Sequence, residues 1–377
     1  MTRLSKPWTS LAALGLALSG CKDIPEVAYE TRRFEIAPDF DHPICAGTLA
    51  QFEDHLSFVE SALARSVPFD ERIRFYWITD GLDNWCSARA RGCYYPGTRV
   101  IVGSGTSVHH EIVHAVLNAE AHTNFFLEEA LAELYSGVGS VDLAALDTRP
   151  SPGELLWLSP TDYRFGDLDY VVAHRFMGHV HHEHGAGSIR GIASVVVSAA
   201  GPPELEQVFK RFTGLDFDAI EANYLGRARS FYPGLHDKHV PEALGKRWHD
   251  VSLRCDSAET LGPLPDSSPG MYRSLRLELD EPRSVSFELR APADVRLTIV
   301  DARRERAAGW VVNFLHPKLS GRRQHPVIHG GEALDVQLRA GTHLLIIERA
   351  SYEYTDAFLQ VLPLELPRGT EPDTADE

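Results

Sequence analysis

Two histidines one helical turn apart, with a glutamate between them, are the residues of this chain best able to do chemistry: His110-Glu111-Ile112-Val113-His114. On a helix, positions i and i+4 share a face and lie roughly 6 Å apart along the axis. Two imidazoles so spaced can bind one Zn²⁺. Glu111 then stands at the rim of the site, placed to take a proton from water activated by the metal. No other stretch supplies a nucleophile, a base and an electrophile together. The chain has no G-x-S-x-G elbow and no P-loop. Gly185-Ala186-Gly187 follows a predicted helix and lacks the full dinucleotide fingerprint.

Two histidines do not close a site that must also keep a position open for substrate; a third protein ligand is needed. Phe126-Leu127-Glu128-Glu129-Ala130-Leu131-Ala132-Glu133-Leu134 offers three carboxylates on one predicted helix. Glu129 and Glu133 share a face, and Glu128 lies about 100° away from Glu129. With this second motif the chain resembles the gluzincin metallopeptidases, the broad thermolysin and aminopeptidase N class. In that class a helix after the H-E-x-x-H helix carries the third ligand, often within a string such as W-L-x-E-G-x-A-E-Y. The resemblance covers roughly Ile73 to Arg229 and puts Glu129 at the ligand position, with Glu133 as the alternative. If Glu129 is the ligand, Glu133 would orient a ligand histidine. Two departures stand out: the connector from His114 to Glu129 is shorter than is usual in aminopeptidase N-like enzymes, and Ala130 replaces a frequent glycine.

What the resemblance implies is a zinc peptidase. Zn²⁺ is held by His110, His114 and Glu129, Glu111 is the general base, and a peptide or protein is the substrate. An oxyanion donor would come from the C-terminal lobe, where Tyr170, Tyr163 and His174 are the candidates and Tyr170 ranks first. Arg99-Val100-Ile101-Val102 sits where such enzymes carry the edge strand that pairs with an extended substrate. Two rival readings stay open. One is a non-catalytic surface-binding or adhesin-like protein on a peptidase scaffold; the other is a zinc hydrolase acting on a bond other than a peptide.

The elements that must position these groups are legible in outline. Leu49, Phe52, Leu56, Val59 and Leu63 predict a helix over 46–64. Ile73 to Ile78 reads as a strand, Asp80-Gly81 as a turn, and Arg99 to Val102 as a second strand. Ser107 is a plausible N-cap for the motif helix, which runs through Ala119. A second helix runs from Thr123 or Asn124 to Tyr135. Further helices are predicted over 170–183, stopping at Gly185, and over 189–199, 204–213 and 216–228. His109 is expected to face away from the metal. The tract His179, His181, His182 and His184 is expected to be a solvated helix end, and Trp77, Trp85, Tyr94 and Tyr95 are read chiefly as packing residues.

The 377 residues carry a formal charge of −16 and 44% apolar residues. That charge argues against nucleic acid as a partner, and the apolar share suffices for a sizeable core. Arg3 and Lys6 precede a short apolar run, Leu11 to Leu18, too short to span a membrane. It leads into Leu18-Ser19-Gly20-Cys21, which resembles a bacterial lipobox. This resemblance implies an exported lipoprotein anchored to a membrane through acyl chains on Cys21. Four cysteines remain, an even number in an exported chain. Of the three possible pairings, a local Cys86–Cys93 bridge is the simplest, leaving Cys45–Cys255.

After Cys255 the pattern changes to short Val/Leu/Ile-rich runs: 275–279, 285–289, 295–300, 310–314, 334–338, 343–348 and 357–362. This spacing predicts a β-sandwich. Phe287-Glu288-Leu289-Arg290-Ala291 and Leu338-Arg339-Ala340-Gly341-Thr342-His343 resemble the pre-peptidase C-terminal type of sandwich. The expected fold class is α+β: a zincin-like catalytic domain (a small sheet, the active-site helix and an α-rich C-terminal lobe) followed by an all-β sandwich. The expected division is a signal peptide and lipobox (1–21), a tether (22–42), the catalytic domain (43–250), the sandwich (251–366) and a disordered acidic tail (367–377). Oligomeric state has no signature here.

Overall fold

A computed structural model describes residues 24–68, 71–87, 90–118, 124–136, 149–157, 169–196, 202–227, 240–243, 247–301 and 325–364. Cys21, Tyr163, the strand expected over 310–314 and the acidic tail lie outside the described residues. Within them the chain is a mixed α+β structure. No described helix is long and apolar enough to cross a membrane.

The N-terminal sheet has five strands in the order β1-β2-β3-β5-β4. They are β1 (Tyr29–Glu30), β2 (Phe34–Pro38), β3 (Ile73–Trp77), β4 (Gly92–Tyr95) and β5 (Val100–Gly103). β2, β3 and β5 run parallel, while β1 and β4 add antiparallel at the two edges. In β3, Ile73, Phe75 and Trp77 point into the core and alternate with less buried neighbours, as the pleat requires. Helix α1 (Ala46–Leu63) lays Phe52, Leu56, Val59 and Leu63 into the same core.

Two expectations are corrected here. The segment 22–42 is not simply a tether, because β2 lies inside it and pairs with β3 along its whole length. Phe34, Ile36 and Ala37 are fully buried there. The run is only five residues long and sits among charges and a proline, so its local pattern is weak. Arg99–Val102 is not the sheet's edge either. The chain turns back after Asp80 and lays β4 outside β5, so among the described residues the edge on this side of the sheet belongs to Gly92–Tyr95. Trp85 stacks on Tyr76, with ring centroids 5.7 Å apart.

Helices α2 (Val108–Leu117) and α3 (Phe125–Ser136) follow. Asn118 ends α2 in the left-handed conformation at φ 41°, and its side-chain oxygen accepts the Tyr94 hydroxyl at 2.7 Å. Asn124 starts α3 as its cap, its Oδ1 accepting the backbone N–H of Leu127. After α4 (Pro152–Leu156) comes α5 (Tyr170–Val196), which is broken at Gly185 by a φ of 78° and ψ of 170°. The two segments expected on either side of that glycine therefore meet end to end. Helices α6 (Pro202–Thr213) and α7 (Phe217–Arg227) complete the α-rich part.

The remaining strands are β6 (Trp248–Asp250), β7 (Met271–Leu279), β8 (Arg283–Arg290), β9 (Arg296–Asp301), β10 (Val327–His329), β11 (Ala333–Leu338), β12 (Gly341–Arg349) and β13 (Phe358–Pro363). They form two four-stranded antiparallel sheets, β10-β9-β12-β7 and β11-β8-β13-β6. Both contribute to one buried cluster that includes Leu277, Phe287, Leu297, Leu345 and Leu359. β6 pairs with β13, and Ala243 bonds to Arg276, so the β-rich part begins before residue 251.

Both disulfides are present, Cys86–Cys93 and Cys45–Cys255. The second fixes the start of α1 to the β-rich part. Three N–H groups at this helix start, those of Cys45, Ala46 and Gly47, donate to the carbonyls of Gly262, Cys255 and Thr260. Thr48 and Gly262 exchange two further bonds, and Trp77 donates its indole N–H to the Ser267 hydroxyl. A side chain at position 47 would overlap the Thr260 carbonyl at 2.4 Å, so glycine lets the two segments approach.

Candidate metal centre

Helix α2 packs against β4, β5, α1 and α3. That enclosure explains why almost every position of it is buried. Val108, Ile112, Val113 and Val116 anchor it in the core. His109 is buried away from the cluster, against Phe52 and His55, and its backbone carbonyl accepts from His55 Nε2 at 3.0 Å. The opposite face presents His110 and His114 toward α3.

His110, His114 and Glu129 form a group able to hold a metal ion, with one ligand atom from each lying within 4.8 Å of the others. The two Nε2 atoms face each other at 3.0 Å. His110 Nε2 lies 3.0 Å from Glu129 Oε2, and His114 Nε2 lies 3.6 Å from Glu129 Oε1. A tetrahedral shell with Zn–N bonds of 2.0–2.1 Å has edges of about 3.3 Å. The spacing of the three donors brackets that value.

The outer nitrogens of both histidines are engaged as well. His110 Nδ1 is 3.1 Å from Glu133 Oε1, and His114 Nδ1 is 3.0 Å from Glu128 Oε1. A carboxylate can only accept, so each Nδ1 carries a proton, and each Nε2 offers a lone pair to the inside once the second ring proton has left. In that state two nitrogen lone pairs and a carboxylate converge. Such an arrangement could hold a cation at its centre, and the donor set of two imidazoles and one carboxylate suits zinc. Glu128 was not singled out by sequence spacing. It reaches His114 from the flank of α3 next to Glu129, a contact that no periodicity announces.

In the metal-free protein a proton takes the cation's place. Burial alone would lower the pKa of His110, but hydrogen bonds to Glu129 and Glu133 outweigh it and push the group up to about 10. His114 is raised as well, burial again being outweighed by Glu129 and Glu128. Glu129 moves the other way: burial would raise it, yet the two imidazoles hold it well below the usual carboxylate range. Because the folded pKa of His110 lies above its ordinary 6.5, its proton stabilises the fold fully below 6.5. That contribution is lost as pH rises from 6.5 to about 10. Metal must displace the same proton. Two opposite trends are therefore expected between pH 6.5 and 10: the thermal midpoint of chelator-treated protein falls, and zinc affinity measured by competition rises. A flat zinc affinity across that range would contradict the assignment.

The two outer carboxylates carry a further expectation. Glu133→Gln and Glu128→Gln should each weaken zinc binding by about 10–100-fold while the chain stays folded. Competition with a zinc-chelating dye measures this, and unchanged affinity in both variants would remove their orienting role.

Glu111 is 5% exposed, and burial raises its pKa above the usual carboxylate value. The Tyr170 ring lies 6.4 Å from the ring of His110, on the first turn of α5. His174 does not share that position. It is fully buried and packs behind α3, with its Nδ1 donating to the Glu133 carbonyl at 3.2 Å. Burial lowers its pKa to about 4, which favours the neutral ring beside α3. Of the histidine tract, His179 is buried beside Tyr224, whereas His182 is exposed.

No protein-family model and no curated protein matches this chain. Among solved structures it is similar to an aminopeptidase A of Legionella pneumophila in complex with aspartic acid, at 9% identity and a TM-score of 0.37. That likeness covers 85% of this chain and 34% of the other, so the chain spans about a third of the length of that enzyme. It is also similar to PirA, at 9% identity and a TM-score of 0.19, over 33% of this chain and 99% of that one. A family GH115 4-O-methyl-α-glucuronidase gives 11% identity and a TM-score of 0.17, over 69% of this chain and 32% of that one. Scores this low carry no argument about activity.

Proposed function

We propose that this chain is a zinc-dependent hydrolase, most specifically a peptidase, in which Glu111 is the general base. One observation carries the reading: His110 and His114 of α2, the helix that also carries the buried Glu111, gather with Glu129 of α3 within ligand distance of one another. When bound there, zinc supplies Lewis acidity, polarising a carbonyl and acidifying water.

The rest of the work falls to the chain's own side chains. Glu111 accepts the proton of the attacking water and passes it to the leaving amine. Its raised pKa suits both directions of transfer. Glu133 and Glu128 keep the histidines in the tautomer that faces the metal. Tyr170 is the proposed donor to the oxyanion, from the α5 side.

The architecture proposed around this site is a zincin-like domain followed by a β-sandwich, exported and held at a bacterial membrane by lipid on Cys21. Two disulfides within the described residues are compatible with export. Labelling with a lipid precursor, lost in Cys21→Ala, tests the anchor.

The central test is metal analysis of the purified chain beside hydrolysis of casein and a peptide library. Zinc at one equivalent is expected, with hydrolysis lost on chelation and restored by zinc. Hydrolysis that survives complete metal removal would defeat the reading. A zinc-loaded chain that cleaves no peptide but cleaves another acyl bond would keep the hydrolase and discard the peptidase.

A further inference from the structure

Gly92 opens β4, the outermost strand of the five-stranded sheet, and lies directly opposite Gly103 of β5. Two glycines facing each other across a ladder weaken the pair, since neither has a side chain to pack. Their position suggests what that cost achieves. A Cβ built on Gly92 would stand 2.7 Å from Glu111 Oε1, 3.1 Å from Glu111 Cγ and 2.7 Å from the Ser107 hydroxyl. A Cβ on Gly103 would stand 2.5 Å from the same hydroxyl and 3.2 Å from the Gly92 backbone. Ser107 cannot easily yield, because its hydroxyl is bonded to the Arg91 carbonyl at 2.7 Å, one residue before Gly92. The carboxylate of Glu111 therefore lies against bare edge-strand backbone, in space that any side chain would occupy.

We propose that Gly92 is a positioning residue for Glu111: the missing side chain leaves the seat in which the carboxylate is held beside the metal group. The inference rests on the reading of Glu111 as the base. The three atoms nearest to a Cβ on Gly92 belong to Glu111 and Ser107, and none to the metal-binding side chains or their outer carboxylates. All three are side-chain atoms; with the Ser107 hydroxyl held by the Arg91 carbonyl, the longer Glu111 side chain is the one that can swing aside. Gly92→Ala should therefore move the base and leave metal and fold in place. This separates it from a residue that merely supports the sheet.

The test is a double-mutant cycle on the zinc-loaded full chain: wild type, G92A, E111Q and G92A/E111Q. Zinc content and thermal midpoint are read first. A small hydroxamate is the probe, because it chelates zinc and shares its acidic proton with a neighbouring carboxylate. G92A should weaken hydroxamate binding by about tenfold, as loss of one charge-assisted hydrogen bond would, and should have no effect in the E111Q background. With a cleavable peptide, G92A should lower kcat by about 100-fold with little change in KM, the scale of an ångström's misplacement. Equal hydroxamate affinity in wild type and G92A overturns the proposal, as does the same loss in the E111Q background. If G92A does not fold, G92A/S107A removes the second close contact and carries the same cycle. Absence of hydrolysis by the wild type would defeat the peptidase reading alone, since the hydroxamate cycle still decides on Gly92. A chain that takes up no zinc overturns both.

Discussion

Glu111→Gln should leave zinc bound and lower kcat by about 10²–10⁴-fold, the usual contribution of a positioned general base. The reason for the split lies in the geometry. The metal group consists of His110, His114 and Glu129, and the carboxylates that hold the two imidazoles are Glu133 and Glu128. Glu111 belongs to neither set. Gln has nearly the same volume and fits the same seat, but its amide cannot take the proton. Because Glu111 is buried, the substitution also exchanges a costly buried charge for a neutral group, so the thermal midpoint should hold or rise. Zinc content by elemental analysis, kcat on a peptide and a thermal scan decide the matter together. Loss of zinc in Glu111→Gln would show Glu111 to be a ligand, and wild-type turnover would show that the base is elsewhere.

Removing the Cys45–Cys255 bridge should destabilise the chain more than removing Cys86–Cys93. The two cysteines are 210 residues apart, whereas Cys86 and Cys93 are seven apart. Loop-closure entropy assigns about 5 kcal/mol to the long link and about 2.5 kcal/mol to the short one. The long link also seats the 255–262 segment on the start of α1, where three helix N–H groups find their acceptors. Cys45→Ala/Cys255→Ala is thus expected to lower stability by more than Cys86→Ala/Cys93→Ala, by roughly 2–3 kcal/mol. Denaturant midpoints of the two double variants measure the difference. An equal or reversed order would mean that the contacts of Thr48, Gly262, Trp77 and Ser267 hold the joint without covalent help.

Much of this was legible from local pattern because the signals themselves are local. A 3.6-residue period brings His110 and His114 onto one face of α2 and Glu129 and Glu133 onto one face of α3. The glycine at 185 breaks a helix because it takes a φ that other residues avoid. The alternating runs after Cys255 pair as strands, at nearly the expected limits. The short spacing of Cys86 and Cys93 leaves Cys45 and Cys255 to each other. What the spacing could not contain was partner choice. β2 was hidden in a five-residue run that pairs with β1 and β3 and sets Phe34 against Phe52 of α1, partners its local pattern does not announce.

By itself, then, the amino-acid order determined which side chains have the chemistry to hold a cation and which helices carry them. Only the tertiary structure decided that β4 and not β5 forms the sheet's edge, that His174 is sealed behind α3, that Glu128 reaches His114, and that Gly92 abuts Glu111. The division has a physical cause. Helix periodicity is set by hydrogen bonds four residues apart, so it is written into neighbouring positions. Strand order and side-chain contacts between elements depend on segments tens of residues apart, whose pairing is selected by the packing of the whole core.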